Sequence, residues 1–487
     1  MKLEKIITAI GGNAPQMSPA QREIDATNFV IDSREVRAGD VFFALSQPEY
    51  ADNGFNGEFD DSTQYAAGAL AAGAVAVVLR EDRYAEHETA LEPYKDRLIF
   101  VKDSIVALQD LAHAIYLEWA RPVVAVTGSA GKTTAKELTA HVLTGSGRKI
   151  LRNIKNYNNG LGHPLTVFNL AKDPSFDAAV LEMGMSTPLH EIERLCKITP
   201  PDVSVVLNVL PVHLEHLGTI ERIAQAKAEI VEGMRDGGTA VLNADDERVA
   251  AMAGLSKGDV ITYGIENAAD VRATDIEVRG FGETEFNLNI RGEIAPVRFP
   301  LNGRHNIMNA LAAAAVGIVF GMKVAEIAET LNSVAPPPQR GEIIRFTEGF
   351  TVINDSYNSN PDALLSMVET LIEGSPETSR KIVVAGEMLE LGPEAAAIHF
   401  ATGVKVAKLG ADILIGVRGN GEQLVRGANE AGIHAQFAED SAVAGELVAD
   451  FVKPGDVLLV KGSRGVRTER VVEKLLEKYH REEETPA

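Results

Sequence analysis

One cysteine, Cys196, stands among 487 residues. No disulfide can form within the chain, and a reducing cytoplasm suits it. Cations are also scarce: 47 lysines and arginines face 69 aspartates and glutamates, a formal charge of −22. That balance leaves no global field to attract nucleic acid or an anionic membrane, so an anionic ligand must be met by local cations. Long apolar runs are missing too. The run within Met1 to Gly12 is too short for a secretion signal. Ala310 to Phe320 is too short and too rich in alanine to span a bilayer, and reads as a buried helix. No Cys/His zinc spacing and no short-period repeat occurs. A disulfide scaffold, a nucleic-acid-coating protein and an integral membrane protein are thereby excluded, and any membrane contact would be peripheral.

What is present is length and alternation. The chain is too long for one core and has room for three domains. Residues 1–120 read as a small α/β unit, with strands at Phe29–Ile31, Val41–Leu45 and Val75–Leu79 and helices at Ala66–Ala74 and Asp103–Trp119. Arg121-Pro122 breaks the pattern. Residues 121–338 then alternate apolar runs (Val123–Val126, Ala178–Leu181, Val203–Leu207, Ala240–Leu242) with helical patterns, the signature of a mostly parallel sheet covered on both faces. Residues 270–300 alternate strictly and read as an antiparallel insertion. After the stiff Ala335-Pro336-Pro337-Pro338-Gln339 linker, residues 339–487 restart the alternation at Thr351–Ile353, Ile382–Ala385, Ile413–Val417 and Val457–Val460, as a Rossmann-like domain would. The expected fold class is α/β. Ligands bind outside the carboxyl ends of such strands, so the residues ending the central runs (Thr127, Glu182, Asn208 and Asn243) should line one crevice.

The first central strand runs into Gly128-Ser129-Ala130-Gly131-Lys132-Thr133-Thr134. A strand, a small-residue loop, Gly-Lys-Thr and a helix in that order make a cradle for a nucleotide triphosphate. Backbone amides face the phosphates, Lys132 supplies a point charge, and the Thr133 hydroxyl can hold Mg²⁺. Val126 stands where the general pattern has its first glycine, so the loop is short. Glu182 at a neighbouring strand mouth suits a second oxygen ligand for Mg²⁺, or a surface carboxylate. His213, beside His216, is open between a structural and a functional place. Lys227 sits in the middle of the apolar stripe of Ile220–Met234, where an ammonium must snorkel, meet an anion or be chemically changed. Asn306 and Asn309 share one helix face, able to read a purine edge or to cap the helix. Asp355–Pro361 and Lys461-Gly462-Ser463-Arg464 are polar loops at strand ends, fit for an anionic ligand or for plain turns.

In this order and over nearly the whole chain, these segments resemble the Mur ligases. Asn156-Tyr157-Asn158-Asn159-Gly160-Leu161-Gly162-His163-Pro164, Tyr357-Asn358-Ser359-Asn360-Pro361 and Gly386-Glu387-Met388-Leu389-Glu390-Leu391-Gly392 point to the branch that adds D-alanyl-D-alanine. The Asp-Asn-Pro-Arg sequence of the diaminopimelate-adding branch does not occur. The resemblance implies an ATP- and Mg²⁺-dependent ligase acting on UDP-N-acetylmuramoyl-tripeptide and D-alanyl-D-alanine through an acyl phosphate, and a monomer is expected. It implies Lys132, Lys227 and His213 as catalytic residues, and Thr133, Glu182, His213 and a carbamylated Lys227 as metal ligands. ATP would lie on Gly128 to Thr134 with Asn306, Asn309, Arg340 and Asp355. Ser33, Arg34, Asn156, Asn159, Tyr357, Asn358, Asn360, Lys461 and Arg464 would hold substrates. Two departures from the family pattern stand out: the long acidic Ser46–Gln64 stretch, and His190 in place of a glycine. The rival readings are a Mur-type ligase adding a single amino acid or glutamate, and a non-catalytic nucleotide-binding protein. The Pro336–Pro338 region would act near a hinge between the domains.

Overall fold

The computed structural model describes residues 1–55, 58–154, 156–185, 190–211, 218–335 and 339–482. Three sheets organise it. The first is parallel, in the order β1 (Phe29–Val30), β2 (Val41–Phe43), β3 (Ala76–Arg80), β4 (Leu98–Val101). Parallel neighbours need crossovers, and the helices Ala66–Ala71 and Glu81–Leu91 supply two of them. The first stops short of the expected Ala74 because the chain turns at Gly73, whose φ is +111°. Helix Ser104–Trp119 starts where Asp103 Oδ1 accepts the N–H groups of Ile105 and Val106. It buries Ile105, Leu108, Leu111 and Ile115 in a core that also holds Val123 and Leu181, so the first and second sheets share one apolar seam.

The central sheet has nine strands: β5 (Val123–Thr127), β6 (Ile150–Arg152), β7 (Ala178–Glu182), β8 (Val203–Val206), β9 (Thr239–Asn243), β10 (Asp259–Gly264), β11 (Val271–Gly280), β12 (Glu283–Ile290) and β13 (Glu293–Phe299). Their spatial order is β13-β12-β11-β10-β9-β8-β5-β7-β6. β5 lies between β7 and β8, so the chain leaves it in opposite directions across the sheet. That switch point is where an open α/β sheet opens a crevice. The expected antiparallel strands of residues 270–300 are present, but they join the central sheet. β11 pairs parallel with β10, and β12 and β13 add antiparallel strands to the same sheet, so the segment extends its edge. The alternating Thr284, Phe286, Leu288 and Ile290 turn inward. Helices Lys132–Gly145 and Arg304–Val319 cover one face. Ala310 to Ala315 of the second are fully buried, as its run of small side chains allows.

The third sheet comprises β14 (Glu342–Arg345), β15 (Thr351–Asp355), β16 (Lys381–Gly386), β17 (Ile413–Val417), β18 (His434–Ala438) and β19 (Val457–Lys461), in the order β14-β15-β19-β16-β17-β18. Only β14 pairs antiparallel. Register sets Asp355 at the end of β15 directly beside Lys461 at the end of β19. β4, β6, β10, β14 and β18 went unassigned in the sequence: most are edge strands of their sheets, and all but β10 have at most five residues. No helix among the described residues is long and apolar enough to cross a membrane.

Two helices of the third sheet, Ala395–Leu409 and Gly421–Glu430, approach at glycines. A Cβ on Gly403 would sit 2.1 Å from Leu424 O, and one on Gly427 2.1 Å from Phe400 O. Gly403→Ala or Gly427→Ala should therefore cost about 1–3 kcal/mol through overpacking. Urea unfolding of the intact protein checks this, and an unchanged midpoint would contradict the close approach.

Candidate active site

A cleft of about 500 Å³ opens between the second and third sheets, lined by the loop after β5, the ends of β7, β8 and β9, and the loops after β15 and β19. The β5 loop is built to be rigid. Gly131 takes φ +83° as the N-cap of helix Lys132–Gly145, and a Cβ there would lie 2.7 Å from Asn309 Oδ1. Asn208, just past β8, clamps the loop from both sides: its Oδ1 accepts the Ala130 N–H at 2.9 Å and its Nδ2 donates to Ala130 O at 3.2 Å. The Ser129 N–H donates to Asn208 O, and its hydroxyl to Leu210 O. The first residues of the following helix, whose amides have no intrahelical acceptor, line the cleft.

Lys132 lies half-buried with Nζ donating to Gly128 O at 2.9 Å. Burial lowers its pKa, Glu182 works against that, and the charge of Arg340 adds to the lowering. Beside it the Thr133 hydroxyl donates to Glu182 Oε2 at 2.8 Å and accepts from Arg340 Nη2 at 3.0 Å. The other carboxylate oxygen, Oε1, accepts from Asn158 Nδ2 at 2.8 Å. Glu182 is buried and polar-satisfied at both oxygens.

The third domain meets this cluster through cations and a ring. The Arg340 guanidinium stacks 4.1 Å from the Tyr357 centroid, and Arg464 lies 5.9 Å from the same ring. Lys461 Nζ donates to Asp355 Oδ2 at 2.5 Å and to Asn358 O at 2.9 Å. Asn360 caps helix Pro361–Gly374 by accepting the Ala363 N–H. From the central side, Asn306 Nδ2 donates to Asn302 O. His305, next to it, has Nδ1 3.0 Å from Ser366 Oγ. Burial holds the His305 imidazole down at about 4, so it is neutral at physiological pH.

Lys227, on helix Ile220–Glu232, is 2% exposed. Among the described residues its amine has no hydrogen-bond or ion-pair partner. Burial first, and the charge of Lys132 second, push its pKa well below the ordinary lysine value. Burial thus favours the neutral amine, and the two lysines are close enough to feel each other.

Against known proteins, residues 126–317 match the Mur ligase middle domain and residues 339–464 the Mur ligase glutamate ligase domain. A UDP-N-acetylmuramoyl-tripeptide–D-alanyl-D-alanine ligase of Mycobacterium tuberculosis is 32% identical over 98% of both chains. The chain belongs to the Mur ligase family. The Escherichia coli ligase of the same description is 33% identical, over 95% of this chain and 96% of its own. Among solved structures, MurF from Acinetobacter baumannii superposes with a TM-score of 0.83 at 27% identity, covering 98% of this chain and 99% of its own. MurF from Thermotoga maritima in complex with ADP gives 0.80 at 28%, covering 95% and 99%.

In this Mur ligase Glu182, Asn208 and Asn243 line the cleft as their strand-end positions predict, whereas Thr127 is buried and donates to Met183 O. Ser129 to Thr134, Asn156, Asn306, Asn309, Arg340, Asp355, Tyr357, Asn358, Asn360 and Lys461 all line it; Gly128 lies beneath, against Leu207. Asn159 is not brought in: its Oδ1 accepts the Leu161 and Gly162 N–H groups and closes its own turn. Arg464 is exposed and pairs with Glu469 outside the cleft lining. Ser33 and Arg34 belong to the first domain, in a short turn capped by Asp32, with Arg34 paired to that aspartate. His213 and the Pro336–Pro338 linker lie outside the described residues. Sequence reasoning missed His305 and the bond from Asn158 to Glu182; their only signal was adjacency to motif asparagines.

The Lys227 amine yields a sign for pH dependence. Unfolded, the lysine binds a proton up to its ordinary pKa of 10.5; folded, it releases it well below that. Stability must therefore rise with pH inside that window, by at most about 1.4 kcal/mol per pH unit. In CO₂-free buffer, Lys227→Met should remove that part of the slope just below the ordinary lysine value of 10.5. Equal slopes in the two proteins would contradict the lowered pKa of the buried amine.

Proposed function

We propose that this protein is an ATP-dependent carbon–nitrogen ligase that joins D-alanyl-D-alanine to the terminal carboxylate of UDP-N-acetylmuramoyl-tripeptide. The carrying observation is the Lys132–Thr133–Glu182 cluster of the second domain facing Asp355 and Lys461 of the third across one cleft. Full-length relatives described as ligases of this reaction support the substrate pair.

The chemistry is the meeting of two anions. A carboxylate oxygen of the tripeptide attacks the γ-phosphorus of ATP, and ADP leaves. The dipeptide amine then attacks the acyl carbon, and phosphate leaves. Positioning and charge neutralisation carry most of such a reaction. The amides from Gly131 to Thr134 and the Lys132 amine hold the phosphates, whose negative charge restores the proton affinity that burial takes from Lys132. Asn306, Asn309, Arg340 and Asp355 surround the rest of the nucleotide.

Mg²⁺ fits the donors present. It keeps several waters and takes one or two protein oxygens beside substrate phosphates, and the Thr133 hydroxyl and Glu182 carboxylate touch at the cleft mouth. No group of three or more acidic, histidine or cysteine side chains placed to hold a metal occurs among the described residues, and none is required for that mode. Bound there, the ion would neutralise phosphate charge. The Lys227 amine, whose neutral form burial favours, would add to CO₂ and lose a proton, becoming a carbamate with ligand oxygens; His213 completes the proposed ligand set. Residues 1–120, with Ser33 and Arg34, take the UDP-sugar. Residues 121–338 hold ATP. Residues 339–487 bring the dipeptide, and Asn156, Tyr357, Asn358, Asn360 and Lys461, which line the cleft, contact substrates. The enzyme works as a cytoplasmic monomer.

Incubation with the UDP-tripeptide, ATP, Mg²⁺ and D-alanyl-D-alanine should release ADP and phosphate and yield the UDP-pentapeptide, and single amino acids should not replace the dipeptide. No ADP release with the dipeptide would sink the assignment. Lys227→Ala should lower turnover by about 10²–10³-fold, the loss expected when one electrostatic stabiliser is removed, with partial recovery in added formate or acetate. Full activity of that variant would remove Lys227 from the metal site.

A further inference from the structure

The helix that begins at Lys132 carries a second lysine one turn on, and the proposed reaction leaves it without a task. Lys136 is 2% exposed. Its Nζ donates to Asn153 O at 2.7 Å and lies 2.9 Å from Glu137, which in turn meets Arg152 at 2.7 Å. The ammonium is thus shared between the neighbouring Glu137 carboxylate and a backbone carbonyl just after β6.

Asn153, itself 2% exposed, uses its whole side-chain amide. Its Oδ1 accepts the Glu182 N–H at 3.0 Å, while Nδ2 donates to Glu182 O at 2.9 Å and to Tyr157 O at 3.0 Å. Tyr157 is followed by Asn158, whose O accepts the Gly184 N–H at 2.8 Å and whose Nδ2 donates to Glu182 Oε1 at 2.8 Å. There is no slack at this end, since a Cβ on Gly184 would lie 2.8 Å from Asn158 Cγ. A continuous run of bonds therefore leads from Lys136 through Asn153 to both the backbone and the side chain of Glu182. One carboxylate oxygen is tied by Asn158, and the other is left to Thr133.

We propose that Lys136 is a positioning residue for Glu182: its buried ammonium anchors Asn153, which holds Tyr157 O, so that the adjoining Asn158 fixes one carboxylate oxygen and leaves the other aimed at the metal beside Thr133. The inference rests on Glu182 being a metal anchor. A hydrophobic side chain at 136 would fill the same space and leave Asn153 O without its donor, loosening Asn153 and the contacts it makes. Groups that orient a metal ligand typically matter about 10–100-fold in metal affinity.

The test uses Mn²⁺ as the probe, with free Mn²⁺ counted by electron paramagnetic resonance in the presence of ADP, on the full-length protein. Lys136→Met should weaken Mn²⁺ binding about tenfold, while ADP affinity measured in excess chelator moves by less than about twofold. Asn158→Ala should give the same selective loss, and the double variant should be no worse than the weaker single one, as members of one chain behave. A Lys136→Met protein with unchanged Mn²⁺ affinity, or with metal-free ADP binding reduced in equal measure, overturns the proposal, as does additivity with Asn158→Ala. If Lys136→Met does not fold, Lys136→Arg, which keeps a donor but displaces it, takes its place: selective Mn²⁺ loss supports the role and unchanged affinity overturns it. Glu182→Gln separates the two levels. Unchanged Mn²⁺ binding in that variant removes the metal reading itself. Loss there with retention in Lys136→Met removes only the role of Lys136.

Discussion

The hydrogen bond from the Thr133 hydroxyl to the Glu182 carboxylate joins the two strands on which the site depends. Thr133 follows β5 through the phosphate-type loop, and Glu182 ends β7, the neighbour of β5. Because β8 flanks β5 on its other side, Asn208 can reach the same loop and hold it at both N–H and C=O. With its Ser129 and Ala130 N–H groups spent on Asn208, the loop holds the helix start from Gly131 to Thr134 in place without reorganisation, which gives preorganised donors their strength toward developing charge.

Around that bond the protein collects amines and guanidinium groups that the overall acidic surface would not supply. Lys132 and Lys227 stand close enough for the first to depress the second. Arg340 adds to the strain on Lys132 while bonding Thr133 and stacking on Tyr357. Among the described residues, Lys132 and Arg340 meet neutral oxygens there and not carboxylates at ion-pair distance, and partly buried cations so placed favour the arrival of an anion. Nucleotide phosphates and a peptide carboxylate would be such anions, and their binding is confined to one cleft of a chain whose net charge repels them elsewhere.

The third domain contributes from its own strand ends. Register alone sets Asp355 beside Lys461, and their ion pair braces the Tyr357–Asn360 loop through Asn358 O. Arg340 then ties that loop to Thr133, so the two sheets are coupled through a guanidinium and an aromatic ring. Neutral His305 seals the same seam against Ser366. Polar groups at such a boundary give directional contacts that an apolar seam, like the one beneath helix Ser104–Trp119, does not.

By itself the sequence determined the α/β class, the order of the domains, the nucleotide loop and the anomaly of Lys227. Each is a local signal: an apolar run ending in Gly-Lys-Thr, or a charge placed in a helical apolar stripe. It could not decide that residues 270–300 extend the central sheet, because alternation reports a half-buried strand and not which strand it pairs with. Nor could it place short edge strands such as β6 and β18. Only the tertiary structure brought Asn158 to Glu182, turned Asn159 into its own loop and drew Lys136 to Asn153 O. Those outcomes depend on strand order and on which buried carbonyl lacks a donor. Both are fixed by contacts between segments distant in the chain, which no local pattern of residues encodes.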